Sequence, residues 1–170
     1  RAAEQARRDV RKAELKQRLA ILTETDMAVI VSPGQNEIEQ MKKLGLDPAD
    51  IKTVFVSHGH GDHYGGAKYL QDTYGATVYM HADDLATMAN ARPGSPAPPI
   101  IDVSYDTHVQ PDGSVTLDQV TQGDVTFTFM QTPGHTPGST SFFVPVTAFD
   151  GTQHILTCWG GTSAPTDAPG

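Results

Sequence analysis

Short apolar, β-branched runs separated by polar breaks recur along most of this chain, and their spacing predicts its elements. Residues 52–57 (KTVFVS) are apolar in the middle and predict a buried strand, as do residues 27–31 (MAVIV) and 76–80 (ATVYM). Between them, residues 37–44 place Ile38, Met41 and Leu44 on one helical face and stop at Gly45. Residues 64–74 and 82–91 predict two further helices, with Gly65 and Gly66 letting the first begin close to the preceding loop. Residues 92–99 (RPGSPAPP) exclude regular structure and predict a loop. Strands follow at 115–117 and at 125–131 after a turn at Gln122-Gly123-Asp124, and 140–146 pairs with 154–159 through Asp150-Gly151. Helices interleave with strands early and strands dominate late, so the fold class is α/β with packed layers.

The two ends differ from this middle. Residues 1–22 (RAAEQARRDVRKAELKQRLAIL) carry Ala6, Val10, Ala13, Leu15, Leu19 and Leu22 at helical spacing and predict one basic helix. Seven of the twelve Lys and Arg residues lie within residues 1–18. A basic docking arm or a membrane-surface helix competes with a solvated helix that packs by its Leu stripe. Glu4, Asp9 and Glu14 interrupt the basic face and favour the packed helix. Residues 164–170 (APTDAPG) form a Pro/Gly-rich tail, leaving 23–163 as a single domain. A net charge of −8 argues against a nucleic-acid surface. No run of eighteen apolar residues is present to span a membrane. The lone Cys158 excludes an internal disulfide and reads as a small buried hydrophobe.

The chemistry is concentrated in His58-Gly59-His60-Gly61-Asp62-His63, four metal-ligand side chains within six positions. A loop leaving a buried strand, with glycines between the ligands, folds tightly enough to aim them at one small volume. Imidazole and carboxylate suit Zn²⁺ at roughly 2.0–2.2 Å, and a catalytic zinc takes three protein ligands and keeps one position for water. His58 and His60 need a further ligand from elsewhere. His135, held between two Pro-Gly turns in residues 132–139 (TPGHTPGS), is the candidate. His81, at a strand end, is either a site-lining residue and substitute ligand or a hydrogen-bonded structural histidine. His108 falls in a polar loop, and His154 opens a strand in a structural role. A purely structural or vestigial metal site remains the alternative to a catalytic one.

The segments HGHGDHYGG and TPGHTPGS resemble the metallo-β-lactamase superfamily, whose HxHxDH signature precedes an isolated histidine in a turn. The likeness spans residues 27–165. It implies an αββα sandwich with metals at one edge of the two sheets. His58, His60 and His135 would hold a first zinc, and Asp62 and His63 would hold part of a second, with Gly61 lining the site. After the strand at 154–159, Thr162 occupies a slot where relatives commonly carry Asp or Cys. That departure resembles the third subclass of metallo-β-lactamases, in which a later histidine completes the second site. This sequence contains no such histidine before Gly170, so the expectation is a partial domain, a fragment with its second half largely missing, holding two zinc ions if the second site is complete and otherwise one. A further departure is Ser32, where the family pattern places an Asp.

The resemblance implies a zinc hydrolase in which metal-bound hydroxide attacks a carbonyl, with Asp62 as the catalytic residue that orients it. A β-lactam is the first substrate expected, with lactones and thioesters as alternatives within the superfamily. A reading of another class is a non-catalytic zinc-binding remnant that serves as an interaction or assembly module. The expected partners are a small-molecule substrate and, through an uncovered sheet face, a second copy of the chain, with no nucleic acid and no membrane. Localisation stays open, periplasmic or secreted for a lactamase and cytoplasmic otherwise.

Overall fold

Phe55 marks the centre of the molecule, where two sheets meet. In the computed structural model the described residues are 20–22, 28–43, 47–104, 107–109, 111–112, 115–148 and 150–161. The first sheet has the order β1 (Ala20–Leu22), β2 (Ala28–Val31), β3 (Ile51–Phe55) and β4 (Thr77–Tyr79). β1 is antiparallel to β2, and β2, β3 and β4 are parallel. The second sheet is antiparallel, ordered β7 (Gln119–Gln122), β8 (Val125–Gln131), β9 (Thr140–Thr147) and β10 (Gln153–Cys158). A two-stranded hairpin, β5 (Thr107–Val109) with β6 (Val115–Leu117), lies between them in sequence.

Parallel pairing in the first sheet demands crossovers, and the helices supply them. α1 (Gln35–Lys43) joins β2 to β3, while α2 (Gly61–Tyr64) and α3 (Ala67–Tyr74) join β3 to β4. A 3-10 turn, Ala82–Asp84, and α4 (Leu85–Ala89) follow β4. Ile38 and Met41 of α1, Leu70 of α3 and Met88 of α4 pack with Val54, Val56 and Val78 in one apolar layer. On the opposite face, Phe55 meets Phe127 and Phe129 of β8 at ring-centroid distances of 4.7 and 4.8 Å, and Phe142 and Val144 of β9 complete that second layer. A strand that is buried on both faces toward its end explains why residues 54–56 are continuously apolar.

Three expectations need correction. Residues 20–22 do not end a basic helix: they form β1, paired with Ala28–Ile30, because Ile21 and Leu22 extend a sheet edge that sequence spacing alone could not reveal. Residues 1–19 and Thr162 lie outside the described residues. The helix expected over 64–74 is two helices split at Gly65-Gly66, where the Gly66 N–H leaves the helical pattern and donates to Pro33 O at 2.7 Å. His108 belongs to β5 and not to a loop. The pairing of 140–147 with 153–158 holds in register, and β10 forms the outer edge of its sheet. Ile155, Leu156 and the following Trp159 are all exposed there.

Candidate metal centre

The end of β3 and the start of β9 set the site. The Thr140 N–H donates to Ser57 O at 2.9 Å, a bond between the two sheets at the point where the His58–His63 loop leaves one and the His135 turn enters the other. The His135 turn is closed on itself by Thr132 N–H to Ser139 O at 2.7 Å and by the Thr132 and Ser141 hydroxyls at 2.8 Å. Two rigid strand ends thus carry the two histidine segments toward each other.

His58, His60 and His135 converge, each offering one ring nitrogen, with these atoms all within 4.8 Å of one another. His60 Nδ1 lies 3.1 Å from His135 Nε2. The ring centroids of His58 are 4.9 Å from His60 and 4.6 Å from His135. Nε2 of His58 is fully buried and has no hydrogen-bond partner among the described residues. A buried polar atom without a partner is costly, and three imidazole nitrogens turned on one point share no common donor. Both features fit a cation: donors held tetrahedrally at roughly 2.05 Å from a zinc-sized ion sit about 3.3 Å apart, close to the observed His60–His135 separation. Burial, reinforced by the neighbouring imidazoles of His63, His135 and His60, pushes His58 down to about 3, so its ring is neutral and able to donate a lone pair.

His58 is oriented by hydroxyls. Its Nδ1 is 3.0 Å from Ser57 Oγ, and Ser32 Oγ donates to Ser57 Oγ at 2.8 Å while accepting from the Ser57 N–H at 2.9 Å. Ser32 adopts φ 43°, a left-handed conformation uncommon for a residue with a side chain. A pair of serines therefore supports the ligand at the position where the family pattern places an Asp. His60 is the N-cap of α2 without using its ring to cap, which leaves the imidazole to the site.

The other candidates separate by location. Asp62 is exposed, and its Oδ2 lies 3.6 Å from Nε2 of the half-buried His63. The His63 ring lies tilted against His58 at a centroid distance of 3.9 Å. Asp62 also borders a cleft of about 590 Å³ together with His60, Gly61, Asn90, Arg92 and Pro96. The proline-rich loop at 92–99 thus forms one wall of that cleft. His81 is buried and caps the 3-10 turn, its Nδ1 accepting from the Asp83 N–H at 3.2 Å. His154 is exposed on β10 and pairs with the Thr152 hydroxyl at 2.8 Å. Three contributors carry no signal in residue spacing: Ser57, Asp84 and Gly161. Ser57 adjoins the motif, yet its partner Ser32 lies twenty-five positions away. Gly161 lies against the His135 ring, and Asp84 is buried beneath both histidine segments.

The family model for the metallo-beta-lactamase superfamily matches residues 20–147. An uncharacterised protein of Mycobacterium leprae (strain TN) is 34% identical over 124 residues, covering 69% of this chain and 56% of that protein. A probable metallo-hydrolase of Bacillus subtilis (strain 168), YqgX, is 29% identical over 130 residues, covering 72% and 58%. The native FEZ-1 metallo-beta-lactamase from Legionella gormanii superposes with a TM-score of 0.68 at 20% identity, over 88% of this chain and 59% of that one. BJP-1, a subclass B3 metallo-beta-lactamase of Bradyrhizobium japonicum, gives 0.67 at 24% identity, over 84% and 55%. These structures share the fold, and the chain spans a little over half the length of the relatives it matches.

Proposed function

This chain belongs to the metallo-beta-lactamase superfamily of metallo-hydrolases, and from that premise we propose that it is a zinc-dependent hydrolase of a carbonyl substrate, a β-lactam first among the candidates. The observation that carries the reading is the convergence of His58, His60 and His135 around the buried Nε2 of His58, which has no hydrogen-bond partner among the described residues. Three imidazoles with an open side toward a cleft are the donor set of a catalytic zinc. A zinc ion held there would supply Lewis acidity toward a carbonyl oxygen and toward water.

The chain's own residues supply the rest. Ser57 fixes the His58 ring, and α2 aims His60 at the cleft. Asp62, exposed at the cleft wall, accepts a hydrogen bond from the attacking water and holds the proton it gives up. His63, beside Asp62 and close to His58, would share a second ion with it. Arg92 is the one cation on the cleft wall among the described residues, which favours a substrate carrying a carboxylate beside its reacting carbonyl. The structural neighbours that are β-lactamases support the β-lactam, and lactones and thioesters are the alternatives.

The test is zinc content with turnover of a chromogenic cephalosporin, nitrocefin. Bound zinc and hydrolysis are expected in the parent, and both should disappear in His60→Ala. Stoichiometric zinc retained in that variant refutes the ligand assignment. A second reading, a zinc-binding interaction module without catalysis, draws on the exposed Ile155, Leu156 and Trp159 at an open sheet edge. Bound zinc without turnover, together with concentration-dependent self-association, would favour it.

A further inference from the structure

Asp84 is completely buried, and among the described residues no cation pairs with it. Its carboxylate is instead surrounded by four donors. Oδ2 accepts from the Gly59 N–H at 2.7 Å and from the Thr136 hydroxyl at 2.7 Å. Oδ1 accepts from the Gly138 N–H at 2.8 Å and from the Thr87 hydroxyl at 3.3 Å. Gly59 lies between His58 and His60, whereas Thr136 follows His135 directly and Gly138 closes its turn. One carboxylate therefore grips both histidine segments, which lie more than seventy positions apart in sequence.

The glycines show how closely the segments approach it. A Cβ on Gly59 would fall 2.8 Å from Asp84 O, and one on Gly138 would fall 2.8 Å from Asp84 N and 2.9 Å from its Cγ. Both loops need their missing side chains in order to rest on this residue. The Thr136 hydroxyl is held in turn by Ser139 Oγ at 2.8 Å, and Ser139 Oγ accepts the Thr136 N–H at 3.0 Å. The network has no exposed member on the His135 side, since Thr136, Gly138 and Ser139 are all buried.

We propose that Asp84 is the positioning residue of the metal centre, its two carboxylate oxygens setting the distance between the His58–His60 loop and the His135 turn. The inference rests on the reading of these three histidines as the ligand set. A carboxylate is required because it alone presents two acceptor oxygens at this size. In Asp84→Asn, whichever way the amide turns, its NH₂ faces two donors, either Gly59 and Thr136 or Gly138 and Thr87. The variant keeps the volume and breaks the clamp on one side.

The test uses the whole 170-residue chain with Co²⁺ as the metal. Affinity is read by competition with a chromophoric chelator, coordination by the cobalt d–d absorption, and folding by circular dichroism and melting of the metal-free protein. The parent should bind cobalt with the intense d–d bands of a four-coordinate site. Asp84→Asn should lose roughly ten- to a hundredfold in affinity, the range for residues that orient metal ligands, and its bands should shift, with its secondary structure retained. Parent-like affinity and spectrum in a folded Asp84→Asn would overturn the proposal alone. A parent that binds no metal would overturn the ligand reading and this inference together. Should Asp84→Asn not fold, Thr136→Val and Thr136→Ser decide: weakened binding in the first with parent-like binding in the second supports the clamp, and equal affinities in the two sink it.

Discussion

His60 Nδ1 and His135 Nε2 stand 3.1 Å apart across seventy-five positions of sequence. Two imidazole nitrogens at that distance share a single proton or a single cation. A third nitrogen, on His58, is buried beside them without a partner among the described residues, which favours the cation.

Metal should therefore stabilise the fold. At a free zinc concentration a hundred times Kd, binding to the native state alone adds about 2.7 kcal/mol. For a chain of this length that corresponds to roughly 5–10 °C in melting temperature. Calorimetry with zinc and with a chelator should reveal the shift, and His60→Ala should abolish it. Equal melting temperatures with and without zinc would count against the site.

Ser57→Ala removes the hydroxyl 3.0 Å from His58 Nδ1 and leaves the ring free to turn. Zinc affinity should fall roughly ten- to a hundredfold. Isothermal titration is the measurement, and an unchanged Kd would assign the serine pair to loop structure alone.

Gly161→Ala would bring a Cβ to 2.6 Å from His135 Cβ and to 2.7 Å from its Cγ and Cδ2. The ring must move, because contacts this short are sterically forbidden and the nearest atoms all belong to His135. Overpacking of this kind costs about 1–3 kcal/mol, and stoichiometric metal binding should be lost with it. Denaturant melts and zinc analysis check both parts.

Arg92→Ala tests the substrate class. If the guanidinium holds a substrate carboxylate at the cleft wall, KM should rise about fivefold with kcat little changed, the equivalent of ~1 kcal/mol for a solvent-screened contact. Steady-state kinetics on a carboxylate-bearing β-lactam would expose the opposite result, an unaltered KM.

Burial pushes the Cys158 thiol above its ordinary 9.0. Alkylation by iodoacetamide at pH 8 should be slow in the native chain and fast in denaturant. The sign for stability follows: a raised thiol pKa contributes stability below pH 9.0 that is lost as pH rises through the folded value. Equal alkylation rates in the two states would place the thiol in solvent.

The sequence by itself determined what adjacent residues decide. The period of apolar positions located β3, β4, β8, β9 and β10, and the close spacing of His58, His60, Asp62 and His63 marked a candidate metal loop, because both signals are carried by neighbours along the chain. His135 between two Pro-Gly turns was legible for the same reason. Only the tertiary structure decided which distant groups meet. Residues 20–22 became a strand because 28–30 offered an edge, and Gly66 left its helix for Pro33 O. Ser32 reached Ser57, and a carboxylate in the ordinary-looking run His81-Ala-Asp-Asp84 settled beneath both histidine segments. Hydrogen bonds between residues twenty-five to fifty-four positions apart depend on how two sheets stack, and no local period records that.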